Sequence, residues 1–244
     1  MKKLILILFI LVNTMFANEL VFNSGEKKVN IIELYTSQGC SSCPVAEDWV
    51  NGLKTRKEVF KDFIPLAFHV TYWDFIGWKD IFADKKNDMR QRNYANKVWQ
   101  KNSVYTPQFV INSKEYRRWF SNQSFPRFEN VYGGNLKLKI NNENLDISFN
   151  SSKINDEELY VNVAILGFDY TTNVTAGENE DRALDGDFIV LKHQQNLLKS
   201  NKNNLLFNTT LPKYKKDGHK KAVVVWLNKA DGSIVQATGG YLTK

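Results

Sequence analysis

The sequence predicts an α/β domain over residues 25–128, followed by a mostly β, sandwich-like domain over residues 129–244. Two observations lead to this prediction. In the first part, an apolar run, an amphipathic segment and a second apolar run follow one another, which is the chain order of a βαβ unit. In the second part, after Gly133 and Gly134, short strand-like runs are separated by polar loops, as in a small sandwich.

The βαβ pattern begins at residues 29–35, where V-N-I-I-E-L-Y is mostly apolar and indicates a strand buried on both faces. Pro44 suits the first turn of a helix, because its missing N–H has no partner to lose there. The apolar residues that follow recur at helical spacing, namely at Ala46, Trp49, Val50 and Leu53. A second apolar run at residues 63–70 completes the unit and predicts two parallel strands.

The remaining elements are predicted from shorter patterns. Residues 71–82 form a loop dense in aromatic side chains, and residues 84–101 are rich in helix formers. A strand at residues 104–112 contains Pro107, which belongs at an edge, a bulge or a special turn. The strands of the second part are expected at residues 136–140, 145–149, 159–168, 222–227 and 234–241.

The first residues predict export. Met1-Lys2-Lys3 precedes an apolar stretch at residues 4–12 that is short for a bilayer span. We expect a signal peptide over residues 1–17, cut near Ala17, and a periplasmic or secreted protein in an oxidising compartment. No later stretch is apolar enough for a membrane helix, so no membrane contact is expected beyond the export signal.

The charge pattern argues against nucleic acid as a partner. The formal net charge is +7, and it includes Lys2 and Lys3 of the export signal. The remaining positive charge is dispersed, without a dense Lys/Arg stripe with interleaved aromatic residues. Exported proteins with thiols or disulfides are the expected partners, and the sequence indicates neither a cofactor nor an oligomeric state.

Cys40 and Cys43 are the only cysteines, and they lie just before the predicted helix in T-S-Q-G-C-S-S-C-P. The thiolate is the reactive form of cysteine, and a helix N-terminus lowers the pKa of a thiol. We therefore predict that Cys40 is a solvent-reachable nucleophile and that Cys43 is its resolving thiol. A permanent structural disulfide is the first alternative, although so small a loop removes little entropy from the unfolded chain. Half of a zinc site is the second, although no further cysteine pair completes it.

Several motifs together resemble a known family. They are T-S-Q-G-C-S-S-C-P at residues 36–44, F-H-V-T-Y-W-D at 68–74, G-W-K-D at 77–80, V-Y-T-P-Q at 104–108 and, more weakly, G-E-N at 177–179 with Arg182. This set looks like a bacterial family of secreted domains of unknown function that is grouped with thioredoxin-like proteins. The resemblance implies a thioredoxin-like fold for the α/β part and a dithiol, but no established reaction.

The same resemblance suggests a role for Thr106 and Pro107. Their bond resembles the cis-proline that lies against the dithiol in thioredoxin-like proteins and presents the preceding residue to a substrate chain. Thr106 would then bind an extended peptide by strand addition. An ordinary trans proline at a strand edge is the alternative.

Glu33 and His69 are further candidates for chemistry. A buried carboxylate at Glu33 would have a raised pKa and could exchange a proton with Cys43, whereas an edge position would leave it in water. His69 could complete a copper site with the two thiolates, since sulfur ligands select Cu(I). A single histidine is more often a packed core residue, and no metal site is assigned.

The favoured function is thiol–disulfide exchange with exported proteins, with Cys40, Cys43 and Glu33 as the catalytic residues and Thr106 and Pro107 as the substrate-binding ones. Three alternatives stay open. They are a copper-binding protein or metallochaperone, a non-catalytic binding module shaped by the disulfide, and a peroxide-reducing enzyme, for which no distinguishing sign is present.

Overall fold

A computed structural model describes residues 19–122 and 125–242 of the chain. The strands in this part are β1 (Leu20–Asn23), β2 (Asn30–Thr36), β3 (Phe63–His69), β4 (Gln108–Ile111), β5 (Lys114–Glu115), β6 (Asn135–Asn141), β7 (Asn144–Asn150), β8 (Glu158–Gly167), β9 (Tyr170–Asn173), β10 (Ala183–Gly186), β11 (Ile189–Lys199), β12 (Asn204–Thr210), β13 (Lys221–Asn228) and β14 (Ile234–Tyr241). The α-helices are α1 (Pro44–Gly52), α2 (Lys85–Asn93) and α3 (Trp119–Asn122). Short 3₁₀ turns span Leu53–Thr55 and Asp74–Ile76, and a π-helical turn spans Tyr94–Val98.

One large sheet organises the molecule. Its eight strands have the order β14-β13-β8-β11-β3-β2-β4-β5. At its centre β2 and β3 are parallel, with Leu34 opposite Ala67, as the strand–helix–strand pattern around α1 predicts. β11 joins β3 through Ile189 opposite Ala67, so strands from both parts of the chain share this sheet.

The predicted fold class, a thioredoxin-like α/β domain followed by a mostly β domain, is wrong. The structure is mostly β, with 43% strand, 14% helix and several sheets. The physical reason is that β8, β11, β13 and β14 continue the sheet begun by the first part. Most pairs in that sheet are antiparallel, and α1 and α2 have only nine residues each.

Two smaller sheets complete the fold. A four-stranded sheet has the order β1-β6-β7-β12, and β9 pairs with β10. Apolar residues of the four-stranded sheet, including Leu138 and Ile147, form one core with the large sheet's Val161, Val163 and Val225. A second core surrounds β2, β3 and the helices. Burial on both sides explains the nearly continuous apolar sequence of β2 and β13.

The alternation along β2 separates two polar clusters. Successive side chains of a strand point to opposite faces of the sheet. Thr36 donates a hydrogen bond to Glu47 on α1, whereas Glu33 receives two from Arg90 on α2. α1 and α2 therefore cover opposite faces of the sheet.

The signal peptide predicted over residues 1–17 lies outside the described residues. Within residues 19–122 and 125–242, we find no helix with the length and apolar character needed to cross a bilayer.

Candidate functional site

The two cysteines form a disulfide between β2 and α1. Their Cα atoms are 5.4 Å apart, and a tight turn brings them together, since the Cys43 amide donates to the Cys40 carbonyl at 3.1 Å. Cys43 is the N-cap of α1 and Pro44 occupies its first turn, so the predicted start of the helix is confirmed. Cys40 lies in the turn that leads into the helix.

Both cysteines are buried, which contradicts the prediction of a solvent-reachable Cys40. The exposed fractions are 1% for Cys40 and 0% for Cys43. Only Ser41 and Ser42, between them, are exposed. Two segments distant in sequence surround the cysteine turn.

The first covering segment is the aromatic loop, residues 71–82. Its Trp73 packs on the cysteine turn so closely that a Cβ added at Gly39 would lie 3.3 Å from the Trp73 Cβ. The Trp73 indole Nε1 donates to the Thr106 Oγ1 at 2.6 Å, and the Trp78 Nε1 donates to the Gln38 Oε1 at 3.2 Å. This loop therefore connects the cysteine turn to Thr106.

The second covering segment, residues 177–182, comes from the loop between β9 and β10. The buried Asn179 side-chain amide donates to the carbonyls of Gln38 at 2.8 Å and Cys40 at 3.0 Å. The Glu178 Oε2 accepts from the Ser41 amide at 2.9 Å, and the Arg182 Nη1 donates to the Asn179 Oδ1 at 2.8 Å. The G-E-N motif with Arg182, which the sequence offers only as a weak family resemblance, therefore holds the cysteine turn.

The Thr106–Pro107 peptide bond is cis, as the resemblance implied. It lies directly before β4, whose Gln108 pairs with Tyr35 at the end of β2. The Thr106 side chain is half-buried, and its hydroxyl accepts the Trp73 hydrogen bond. The role predicted for Thr106 and Pro107 in binding a substrate chain stays a prediction.

Glu33 is buried, but it does not face the disulfide. Arg90 binds its carboxylate through two hydrogen bonds of 2.9 and 2.7 Å. The hydroxyls of Tyr35 and Tyr94 also donate to it, each at 2.7 Å. Since Glu33 lies on the α2 face of the sheet, the structure does not bring it to Cys43. The idea of an acid beside the dithiol therefore fails for this residue.

A different carboxylate, Glu47, lies on the disulfide side. It follows Cys43 by four residues, and Cys43 has helical dihedral angles, so their Cβ atoms are expected about 5–6 Å apart on one helix face. Glu47 is buried and accepts a hydrogen bond from the Thr36 hydroxyl. Burial raises the pKa of Glu47 above its ordinary value. From sequence alone, a glutamate in the first turn of a helix indicates only a favourable charge at the positive end of the helix dipole.

His69 belongs to a buried pair with Asp80. Its Nδ1 lies 2.7 Å from the Asp80 Oδ2, which also accepts the Gln38 amide at 2.8 Å. Burial opposes the protonation of His69, but the charge and hydrogen bond of Asp80 outweigh it and raise the pKa of His69. Burial likewise opposes ionisation of Asp80, yet His69 and backbone amides lower the pKa of Asp80.

His69 thus holds the Asp80 carboxylate in place, and Asp80 in turn holds the cysteine turn through the Gln38 amide. The copper alternative finds no support in this geometry, because the side chain of His69 is directed to Asp80. Among the described residues, no group of three or more His, Cys, Asp and Glu side chains is arranged to hold a metal ion.

Comparison with known proteins gives a family and a fold. A family model described as "Protein of unknown function (DUF1223)" matches residues 31–228. A crystal structure of a protein from Agrobacterium tumefaciens is similar with a TM-score of 0.61 and 23% identity, covering 86% of this chain and 92% of that one. HBP35 of Porphyromonas gingivalis is similar with a TM-score of 0.58 and 13% identity, covering 91% and 77%. These structural similarities concern the fold alone. No curated protein matches the sequence.

The burial of Glu33 leads to a test of stability. Glu33→Gln removes the charge that balances the buried Arg90, so it should lower the free energy of unfolding by about 3 kcal/mol or more. Urea denaturation measures this. The matched variant Glu58→Gln breaks the exposed pair with Arg56 and should leave the midpoint nearly unchanged. Equal effects of the two substitutions would contradict the assignment of Glu33 as a structural ion-pair partner.

The cover over the disulfide leads to a second test. Trp73→Ala should open a path to the sulfur atoms and raise the rate of disulfide reduction by dithiothreitol by about tenfold, through easier local opening. Thiol release under native conditions measures the rate. Trp99→Ala is the control, since Trp99 stacks on Tyr94 on the other side of the sheet and should leave the rate unchanged. An unchanged rate in Trp73→Ala would show that this side chain does not limit access.

Proposed function

From the premise that the chain belongs to the DUF1223 family, we propose that it is an exported thiol–disulfide oxidoreductase whose dithiol is Cys40 and Cys43. One observation carries the proposal: the disulfide closes a two-residue spacer at the N-cap of α1, on the helix face that carries the buried Glu47. The positive end of the helix favours a thiolate at this position. A carboxyl group with a raised pKa is suited to proton transfer near neutral pH.

The proposed reaction transfers two electrons from a dithiol substrate to the disulfide, and the proton that the first substrate thiol loses to solvent is returned by solvent to Cys40. A substrate thiolate attacks the Cys40 Sγ, the S–S bond breaks, and its electron pair goes to the Cys43 Sγ, which takes the proton of the Glu47 carboxyl. The second substrate thiol gives its proton to the Glu47 carboxylate and attacks the substrate sulfur of the mixed disulfide. Cys40 leaves as a thiolate and is protonated by solvent. The substrate is oxidised to a disulfide, and the protein gains two thiols.

Access to the sulfur atoms is the step that this site must control. Because both cysteines are buried, a substrate chain requires the aromatic loop to move away from Gly39 and Thr106. Trp73 then leaves the Thr106 hydroxyl, which becomes free beside the Thr106–Pro107 bond. We propose that the backbone there receives the substrate chain.

The same burial favours a second candidate function, a non-catalytic binding module in which the disulfide fixes the cysteine turn. Hydrogen bonds from Asn179 to the carbonyls of Gln38 and Cys40 also hold this turn. In a binding module the disulfide would add rigidity to the turn and take part in no reaction. The two candidates differ in whether a partner forms a covalent bond with Cys40.

Trapping separates them. Cys43→Ser leaves Cys40 without its resolving thiol, so Cys40-linked partners should accumulate in the exporting cells as mixed disulfides. Non-reducing electrophoresis and mass spectrometry identify them. The double variant Cys40→Ser/Cys43→Ser is the control and should trap none. If Cys43→Ser traps no partner, even when combined with Trp73→Ala to open the cover, the binding module is the correct function.

The role of Glu47 has its own test. Glu47→Gln keeps an acceptor for the Thr36 hydroxyl but cannot transfer a proton, so exchange with a model dithiol near pH 7 should slow by about a hundredfold. The pH dependence between the ordinary glutamate pKa and neutral pH should also flatten. Asp48→Asn changes the adjacent, exposed carboxylate and should have no effect. Stopped-flow measurement of exchange gives both results, and an unaltered rate in Glu47→Gln would remove Glu47 from the mechanism.

A further inference from the structure

A cleft lies on the sheet face opposite to α1. It has a volume of about 560 Å³, within the usual range of small-molecule sites. α2 and the π-helical turn at Tyr94–Val98 form one side, and residues of β8, β11 and β13 form the other. Neither cysteine lines it, so it is separate from the disulfide site.

The charged side chains of this cleft are all cationic. Lys86, Arg90 and Lys97 line it, and no carboxylate side chain does. Glu33 pairs with Arg90 and neutralises its charge. Among the described residues, no ion pair or hydrogen bond involves the ammonium group of Lys86 or that of Lys97. Asp231, which lies in sequence between the lining residues Ala230 and Gly232, accepts hydrogen bonds from Ser233. The cleft therefore presents two uncompensated positive charges.

The floor of the cleft is a polar network centred on the buried Asn162. The Asn162 amide nitrogen donates to the Asn228 Oδ1 at 2.7 Å. Its oxygen therefore accepts from the Gln195 Nε2 at 2.9 Å and from the His193 Nε2 at 3.0 Å. Such networks are costly inside a sheet unless every group is satisfied. With Nε2 as the donor, the His193 Nδ1 is left as a hydrogen-bond acceptor.

His193 remains neutral in this setting. Burial, together with the positive charges of Arg90 and Lys86, lowers the pKa of His193 to about 3. Its ring is held in place by stacking on Trp226, with ring centroids 5.1 Å apart. The His193 Nδ1 is thus an acceptor of fixed orientation near the cationic side chains of Arg90 and Lys86. This combination suits a ligand that carries both a negative charge and a hydrogen-bond donor.

The walls supply apolar surface and irregular backbone. Met89, Tyr94 and Val98 line the cleft, and the side chain of Met89 is 56% exposed although it belongs to a helix face beside the cleft. π-helical turns occur frequently at functional sites. Gly232 has a φ of +84°, and a Cβ there would lie 3.2 Å from the Tyr94 ring, so glycine keeps this rim open.

We propose that this cleft binds a small organic anion, with an aromatic or aliphatic body against Met89, Tyr94 and Val98 and its acidic group attracted by the positive charges of Lys86 and Lys97. A donor group of the ligand binds the His193 Nδ1. This site is independent of the proposed redox function, because it lies across the sheet from Glu47 and the disulfide.

The probe for the test is 6-hydroxy-2-naphthalenesulfonate, whose hydroxyl supplies the donor, titrated into the isotope-labelled full chain and followed by amide NMR shifts. Saturable shifts should concentrate at residues 86–98, 193–195 and 228–232. The neutral 6-hydroxy-2-naphthalenesulfonamide keeps the donor hydroxyl, so it is the control for charge and should bind more weakly by about tenfold.

Variants locate the charge requirement. Lys86→Gln/Lys97→Gln should weaken binding of the sulfonate by about tenfold and leave binding of the sulfonamide unchanged. Lys57→Gln/Lys61→Gln, at two exposed lysines elsewhere, should change neither. Absence of saturable binding, equal affinity for the two probes, shifts centred elsewhere, or equal effects of the two double variants would each overturn the proposal.

Discussion

A single buried amide, that of Asn179, joins the cysteine turn to the second half of the chain. It satisfies the carbonyls of Gln38 and Cys40 at the same time, and Arg182 fixes its orientation. A buried carbonyl without a donor costs about 1–3 kcal/mol, so the turn in its observed shape depends on this loop between β9 and β10. The shared eight-stranded sheet brings that loop to the site, and the burial of the disulfide follows from it.

The sheet also separates two buried carboxylates that a reading of the sequence does not distinguish. Glu33 has a cationic partner in Arg90 and two phenol donors, which is the environment of a structural ion-pair partner. Glu47 has a hydroxyl partner and no ion-pair partner among the described residues, and burial raises the pKa of Glu47. Proton transfer suits the second environment and not the first. The face of the sheet on which each carboxylate lies, rather than its burial, decides between the structural and the proton-transfer role.

Local features were predictable, because they depend on neighbouring residues. The helix begins at Pro44, β2 and β3 are parallel, and the cysteine spacing closes a disulfide. Features that depend on remote segments were not predictable. Periodicity identifies β8 and β13 as strands but does not tell which sheet they join, and that choice made the predicted fold class wrong. In the same way, the apolar run around Glu33 indicates burial without revealing Arg90, which lies 57 residues further along the chain.

The enclosure of the disulfide differs from burial in a core, because its cover is a partly exposed loop. The aromatic loop exposes Phe75 by 81% and Ile81 by 66%. Asp80 fixes the end of the loop through its buried pair with His69, whereas the part before it is held mainly by side-chain hydrogen bonds, from Trp73 to Thr106, from Trp78 to Gln38 and from Thr71 to Asp88. Each such bond contributes only about 1 kcal/mol net, whereas opening the sheet core would require the full free energy of unfolding. Local release of this loop is therefore the least costly way to expose Cys40, and the stability of the loop determines how often the disulfide meets a partner.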